Sequence, residues 1–163
     1  MVTLTFPMPP RTSRWYRNSI AIERGPVVYS LPIGADWLKL TDRGQASDWQ
    51  AYPKSPWNYA LALDPDHAEA SLTVHETPAE SQVFTLAHAP VRIDAPAFPL
   101  PDWRAQDGVA DSMPDSPVKA VASEDLAKVS LVPYAAAKLR ITAFPHGLAG
   151  GNAATEQGEG SHT

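Results

Sequence analysis

Ser19-Ile20-Ala21-Ile22-Glu23-Arg24-Gly25-Pro26-Val27-Val28-Tyr29-Ser30-Leu31 decides the fold class of this chain. Ile20 and Ile22 share one side of an extended segment, while Ala21 falls between Ser19 and Glu23 on the other. A half-buried strand has this period of two. Gly25-Pro26 breaks the run, because proline offers no N–H to a ladder and glycine accepts turn geometry. Val27 to Leu31 then restarts it with β-branched and aromatic residues, and Pro32 and Gly34 close it.

Outward from this stretch, strand patterns recur and helical periodicity barely appears. Val2, Leu4 and Phe6 alternate with Thr3 and Thr5, which predicts a first strand. Trp37 to Leu40 is a short candidate, followed by a turn at Asp42-Arg43-Gly44. Trp57–Leu63, Leu72–His75, Val83–Leu86 and Val91–Asp94 follow, and Ala137–Phe144 is the last, with Leu139, Ile141 and Ala143 on one face. Residues 95–117 are rich in proline around Trp103 and predict a long connection. Ser123 to Lys128 has a capping serine and early acids, enough for one helical turn. About eight short strands with frequent turn signals predict an all-β fold, an antiparallel β-sandwich or jelly roll, over residues 1–145. Residues 146–163 are glycine-rich and polar and predict a disordered tail.

Composition narrows the function classes. A chain of 163 residues with 44% hydrophobic and 19% charged residues suits one globular domain. Its 17 prolines oppose long helices. A net charge of -5 opposes nucleic-acid binding, which needs a basic footprint. Residues 1–60 nevertheless hold seven basic against four acidic side chains, so Arg11, Arg14 and Arg17 form either a patch for an acidic partner or a solvated rim. The absence of cysteine excludes disulfides, thiolate metal sites and cysteine nucleophiles, and leaves the compartment open. No apolar run has the length of a membrane span, and the N-terminus lacks the basic and apolar regions of a signal peptide.

Local motifs for catalysis are not found. His67, His75, His88, His146 and His162 have no metal-ligand spacing, so no metal or cofactor is expected. Asp64-Pro65-Asp66-His67-Ala68-Glu69 lacks the alternating carboxylates and glycine of a calcium loop and reads as a hydrated turn. Glu23, Glu76, Glu80 and Glu124 are carboxylates without a pairing motif, and Glu23 beside Arg24 reads as an ion pair at a strand end. No GxSxG occurs, and Gly147 to Gly151 lacks the lysine and helix of a phosphate loop. The stronger signal is aromatic. Trp15, Tyr16, Trp37, Trp49, Tyr52, Trp57 and Tyr59 concentrate within 45 residues. Core packing, a domain contact and a platform for sugar rings all remain open for them.

Three segments carry a resemblance. Thr5-Phe6-Pro7-Met8-Pro9-Pro10-Arg11 runs through Arg14-Trp15-Tyr16 into Ser19 to Tyr29. Pro56-Trp57-Asn58-Tyr59-Ala60-Leu61 is the second. Leu131-Val132-Pro133-Tyr134 with Lys138-Leu139-Arg140-Ile141-Thr142-Ala143-Phe144-Pro145 is the third. Together they resemble the β-sandwich that follows the catalytic barrel in β-L-arabinofuranosidase-type glycoside hydrolases of family 127. The resemblance spans residues 3–145. Ala135-Ala136-Ala137 stands where that family more often has small polar residues, and Ala143 where an acid is common.

The resemblance implies a non-catalytic accessory domain that supports an (α/α)6 catalytic barrel in carbohydrate degradation. In that family the barrel holds the acid/base glutamate and a zinc-bound cysteine nucleophile, so no catalytic position carries over. Arg11, Arg14, Trp15, Tyr16 and Trp57 are the expected residues of interdomain or carbohydrate contact. The partners implied are the barrel and an arabinose-containing oligosaccharide. A stand-alone carbohydrate-binding module using Trp15, Trp37 or Trp57 is an alternative, as are an orphan fragment and a small hydrolase with convergent carboxylates.

Overall fold

The structure is a computed structural model that describes residues 1–106, 108–119 and 126–149. In chain order its strands are β1 (Pro10–Arg14), β2 (Ile20–Arg24), β3 (Val27–Pro32), β4 (Ala35–Arg43), β5 (Ala46–Pro53), β6 (Tyr59–Ala62) and β7 (Thr73–Glu76). They continue as β8 (Val91–Pro99), β9 (Ala105–Gln106), β10 (Val109–Ala110), β11 (Ala127–Pro133), β12 (Arg140–Ile141) and β13 (His146–Gly147). The fold is all-β. Among the described residues, nine strands form one curled sheet in the order β1-β2-β3-β11-β8-β6-β13, with β12 added to β3 and β7 to β8. Its pairs are antiparallel except β6–β13. β4–β5 and β9–β10 are separate two-stranded ribbons.

The alternation seen in sequence places the core on the concave side. Ile20 and Ile22 of β2, Tyr29 and Leu31 of β3, Ile93, Ala95 and Ala97 of β8, and Val129 and Leu131 of β11 meet Leu61, Leu63 and Phe144 there. Gly25-Pro26 is the loop of the β2–β3 hairpin, where Arg24 faces Val27. Gly25 has φ +56°, a geometry that suits glycine.

Residues 139–147 hold the curl closed. β12 pairs with the end of β3, and Ile20 and Phe144 exchange both backbone N–H···O bonds, at 2.9 and 2.8 Å. Leu61 N–H then donates to Pro145 O at 2.9 Å, and β13 lies along β6. The segment thereby joins the two halves of the sheet. Its repeated change of partner explains why the eight-residue strand expected at Ala137–Phe144 appears only as β12 and a single bridge.

Other elements also differ from the sequence expectation. Val2, Leu4 and Phe6 are exposed and belong to no strand, because no neighbouring strand offers them a ladder. Val83–Leu86 forms turns, with the Thr85 hydroxyl donating to Gln82 O and accepting from His88 N–H, a local alternative to strand pairing. β8 runs through Pro96 to Pro99 instead of yielding to a loop at 95. One flank of β8 is shared by β7, whose Thr73 pairs with Asp94, and by β6, whose Leu61 pairs with Ala97. Pro96 sits in that gap. The helical turn expected at Ser123–Lys128 lies partly outside the described residues, and Ala127 and Lys128 belong to β11. The first residues of the tail expected over 146–163 belong to the fold. His146 and Gly147 are buried in β13, and a Cβ on Gly147 would approach Val118 O to 2.8 Å. Residues 150–163 lie outside the described residues.

His146 is 6% exposed, and its Nε2 has no hydrogen-bond partner among the described residues. Burial pushes its pKa below the ordinary value and Arg14 adds to this, opposed by a hydrogen bond to the Asn18 backbone and by Asp64 and Asp66. A depressed folded-state pKa means that the unfolded chain takes up the proton first. Stability should therefore fall as pH drops through the ordinary histidine value of about 6.5. Urea midpoints between pH 8 and 5 should show this decline, and His146→Gln should flatten it. Separately, Phe144→Ala should cost about 3–5 kcal/mol in urea unfolding, as for other buried phenylalanines.

Candidate functional site

The outer, convex face of β1–β2–β3 carries the candidate site. In the β1–β2 register Arg11 faces Glu23 and Ser13 faces Ala21, so Arg11, Ser13 and, one step on, Trp15 project on the outer side. Thr12 and Arg14 face Ile22 and Ile20 and reach the opposite side. There Thr12 Oγ1 donates to Pro65 O at 2.7 Å, and Arg14 donates to Asn18 Oδ1 at 2.9 Å and to Asp66 Oδ1 at 3.0 Å.

Trp15 and Tyr16 are presented by a tight turn. Arg17 and Asn18 both have φ of 55°, the left-handed region that non-glycine residues rarely adopt. Ser116 N–H donates to Arg17 O at 3.1 Å, and Asn18 Nδ2 donates to Ser116 O at 3.2 Å, which holds the turn. Trp15 Nε1 donates to Ser13 Oγ at 2.9 Å, while its ring stays 62% exposed. Tyr16 lies beside Arg17, whose Nε donates to its hydroxyl at 3.2 Å.

Beside Trp15 lies a trench of about 590 Å³, floored by Ala21, Val28 and Ala143 and walled by Phe84, Pro133 and Tyr134. Its size falls in the range of small-ligand and contact sites. Tyr134 is stacked under the guanidinium of Arg140, 3.6 Å from its ring centroid. At one rim Arg11 donates twice to Glu23 Oε2, at 3.0 and 2.7 Å. Hydrogen bonds from Ser13 and from Arg11 hold the Glu23 carboxyl below the usual glutamate range. A second cavity of about 390 Å³ shares Phe84 and Ala135 with the trench and extends toward Trp37 and Lys138.

Of the five residues expected from sequence, Trp15 lines this trench, and Arg11 is paired with Glu23 of its lining. Tyr16 is exposed at the neighbouring turn, and Arg14 lies on the other face. Trp57 lines a separate cavity of about 230 Å³ with Ile33 and Ile141, and meets Trp103 edge-to-face at 5.0 Å. Phe84 and Tyr134 were not anticipated. They arrive from loops far along the chain, and only the tyrosine following Leu131-Val132-Pro133 was a sequence cue.

Elsewhere the carboxylates serve structural roles. Asp64 caps the turn at Pro65–Ala70, accepting from Asp66 N–H at 3.0 Å, and pairs with His67 at 2.9 Å. Asp94 joins His75 and Lys128, each at 3.0 Å. Among the described residues no cluster of His, Asp or Glu could hold a metal ion, and no helix is long and apolar enough to cross a membrane. No family model, curated protein or solved structure matches this chain.

Glu23 gives this site a pH signature. A carboxyl held low contributes stability above the ordinary glutamate range, and that contribution is lost as pH falls through its folded-state value. Arg11→Met should move the Glu23 titration upward toward an ordinary glutamate, followed by NMR of the side-chain carboxyl carbon, with Ser13 retaining part of the depression.

Proposed function

We propose that the chain is a non-catalytic accessory β-domain of a glycoside hydrolase of the β-L-arabinofuranosidase type, docking an (α/α)6 catalytic barrel along the trench beside Trp15. The observation that carries this reading is the apolar trench itself, where Trp15, Phe84 and Tyr134 stand 62%, 63% and 47% exposed on the outer sheet face. A concave apolar centre with an ion pair at its rim has the anatomy of a protein interface. Covering the exposed half of one such aromatic side chain contributes about 1 kcal/mol, and three clustered aromatics can anchor a domain contact.

Ala135 and Ala143, the positions where the resemblance breaks, both line the trench. Alanine in place of polar groups makes the contact depend on apolar packing rather than on hydrogen bonds. The carbohydrate chemistry then belongs to the barrel, and this domain shapes one rim of the cleft.

The test mixes the purified chain with a separately produced (α/α)6 barrel of that family, and follows complex formation by size exclusion and hydrolysis of an aryl β-L-arabinofuranoside. A complex is expected. Trp15→Ala should weaken it at least about tenfold, equal to about 1.4 kcal/mol, while Trp49→Ala, outside the trench, should leave it unchanged. A folded chain that forms no complex, or a Trp15→Ala chain that binds as well as the parent, would overturn the reading.

A further inference from the structure

The β4–β5 ribbon carries a second arrangement that trench docking does not use. Trp37 faces Ala51 and Lys39 faces Trp49, two register steps apart, so Trp37, Lys39 and Trp49 share one face. Trp37 and Trp49 are diagonal neighbours, which on an antiparallel pair puts their Cα atoms about 7–8 Å apart. The register slips at Leu40, and beyond the slip Asp42 returns to the same face, where its carboxylate accepts from Lys39 Nζ at 2.6 Å. The two indoles are 49% and 54% exposed.

Two ammonium groups stand over these rings. Lys39 Nζ lies 5.9 Å from the Trp49 centroid and Lys138 Nζ 5.9 Å from that of Trp37. Both distances are at the outer limit, about 6 Å, at which a cation feels the ring. Neither lysine is therefore locked onto its indole. Lys39 is neutralised by Asp42, whereas Lys138 has no carboxylate within ion-pair distance among the described residues. The opposite face of the ribbon differs in kind. It carries Leu38 and Tyr52, and its Arg43 is tied to Asp48 at 2.9 Å.

We propose that the Trp37–Trp49 face is a binding platform for an acidic oligosaccharide whose rings bear carboxylates, such as a uronic-acid glycan. The apolar C–H faces of two successive pyranoses stack on the two indoles, and a ring carboxylate takes up Lys138. A neutral glycan would leave that ammonium unused. A second copy of this chain is the rival occupant, its indole face stacking on this one without use of a carboxylated ring. The platform uses none of Trp15, Glu23 and Tyr134, and it adjoins the trench through the cavity beside Phe84 and Ala135.

The test titrates the full chain with tetragalacturonic acid and with a neutral galactose tetrasaccharide, using tryptophan fluorescence and calorimetry. The acid should bind at least about tenfold tighter than the neutral sugar, and more weakly as salt rises. Trp49→Ala and Trp37→Ala should each reduce its affinity about tenfold or more, with near-UV circular dichroism showing the fold retained. Lys138→Gln, a change at an exposed position, should abolish the preference for the acid. Equal binding of both sugars, or no binding of either, would overturn the proposal. So would binding that Lys138→Gln abolishes but neither tryptophan variant weakens, and so would concentration-dependent dimerisation that Trp49→Ala removes.

Discussion

The reciprocal hydrogen bonding of Ile20 and Phe144 is the constraint on which the rest of this molecule depends. An open antiparallel sheet has two edges and one exposed apolar face, and this sheet hides that face by curling. The curl persists because residues 139–147 bond in turn to β3, β2 and β6, strands from both halves. Phe144 fills the space so enclosed and is fully buried. The closing segment is short and irregular, so its stability comes from what it seals rather than from its own ladder.

The closure also makes the outer surface. Phe144 points inward, while Thr142 and Ala143 before it line the trench, where Thr142 Oγ1 lies 2.8 Å from the Ser30 hydroxyl. Ala89, Val132, Ala136 and Ala137 pack as a second, smaller apolar cluster on that side. The trench is the gap left between this cover and the β1–β2 hairpin, and Trp15 stands at its end. One segment thus fixes core and candidate site together. A mutation at Phe144 is felt in both.

Strand character was legible wherever one face is buried by a partner. Ile20, Ile22, Tyr29 and Leu31 alternate because the main core is on one side, while the small Ser19, Ala21 and Ser30 between them are buried on the other. The same pattern at Val2, Leu4 and Phe6 produced no strand, because alternation states what a segment can do and a partner decides whether it does. At Pro96 the error ran the other way: proline argues against a strand with neighbours on both flanks, and the break between β7 and β6 was invisible without topology. The candidate site was half legible. Trp15, Trp37 and Trp49 stood out as an aromatic concentration, while Phe84 and Tyr134 reach the trench through contacts that no local window contains.

The charge arrangement bears on what kind of site this fold can hold. Glycoside hydrolysis by two carboxylates needs one of them held protonated near neutral pH, which calls for burial away from cations. Here Glu23 is bound to Arg11, Glu76 to Arg24, and Asp94 to Lys128 and His75. The carboxyl of Glu23 is held below its ordinary value, and so is that of Asp94 although burial opposes this, the reverse of the shift a general acid needs. The ties of Glu23 and Asp94 join paired strands and so contribute to sheet register, while Arg24–Glu76 links β2 to β7, strands that do not pair. Carboxylates spent on register leave the recognition surfaces to aromatic rings and to lysines outside that network, and those are the groups exposed beside the trench and on the ribbon.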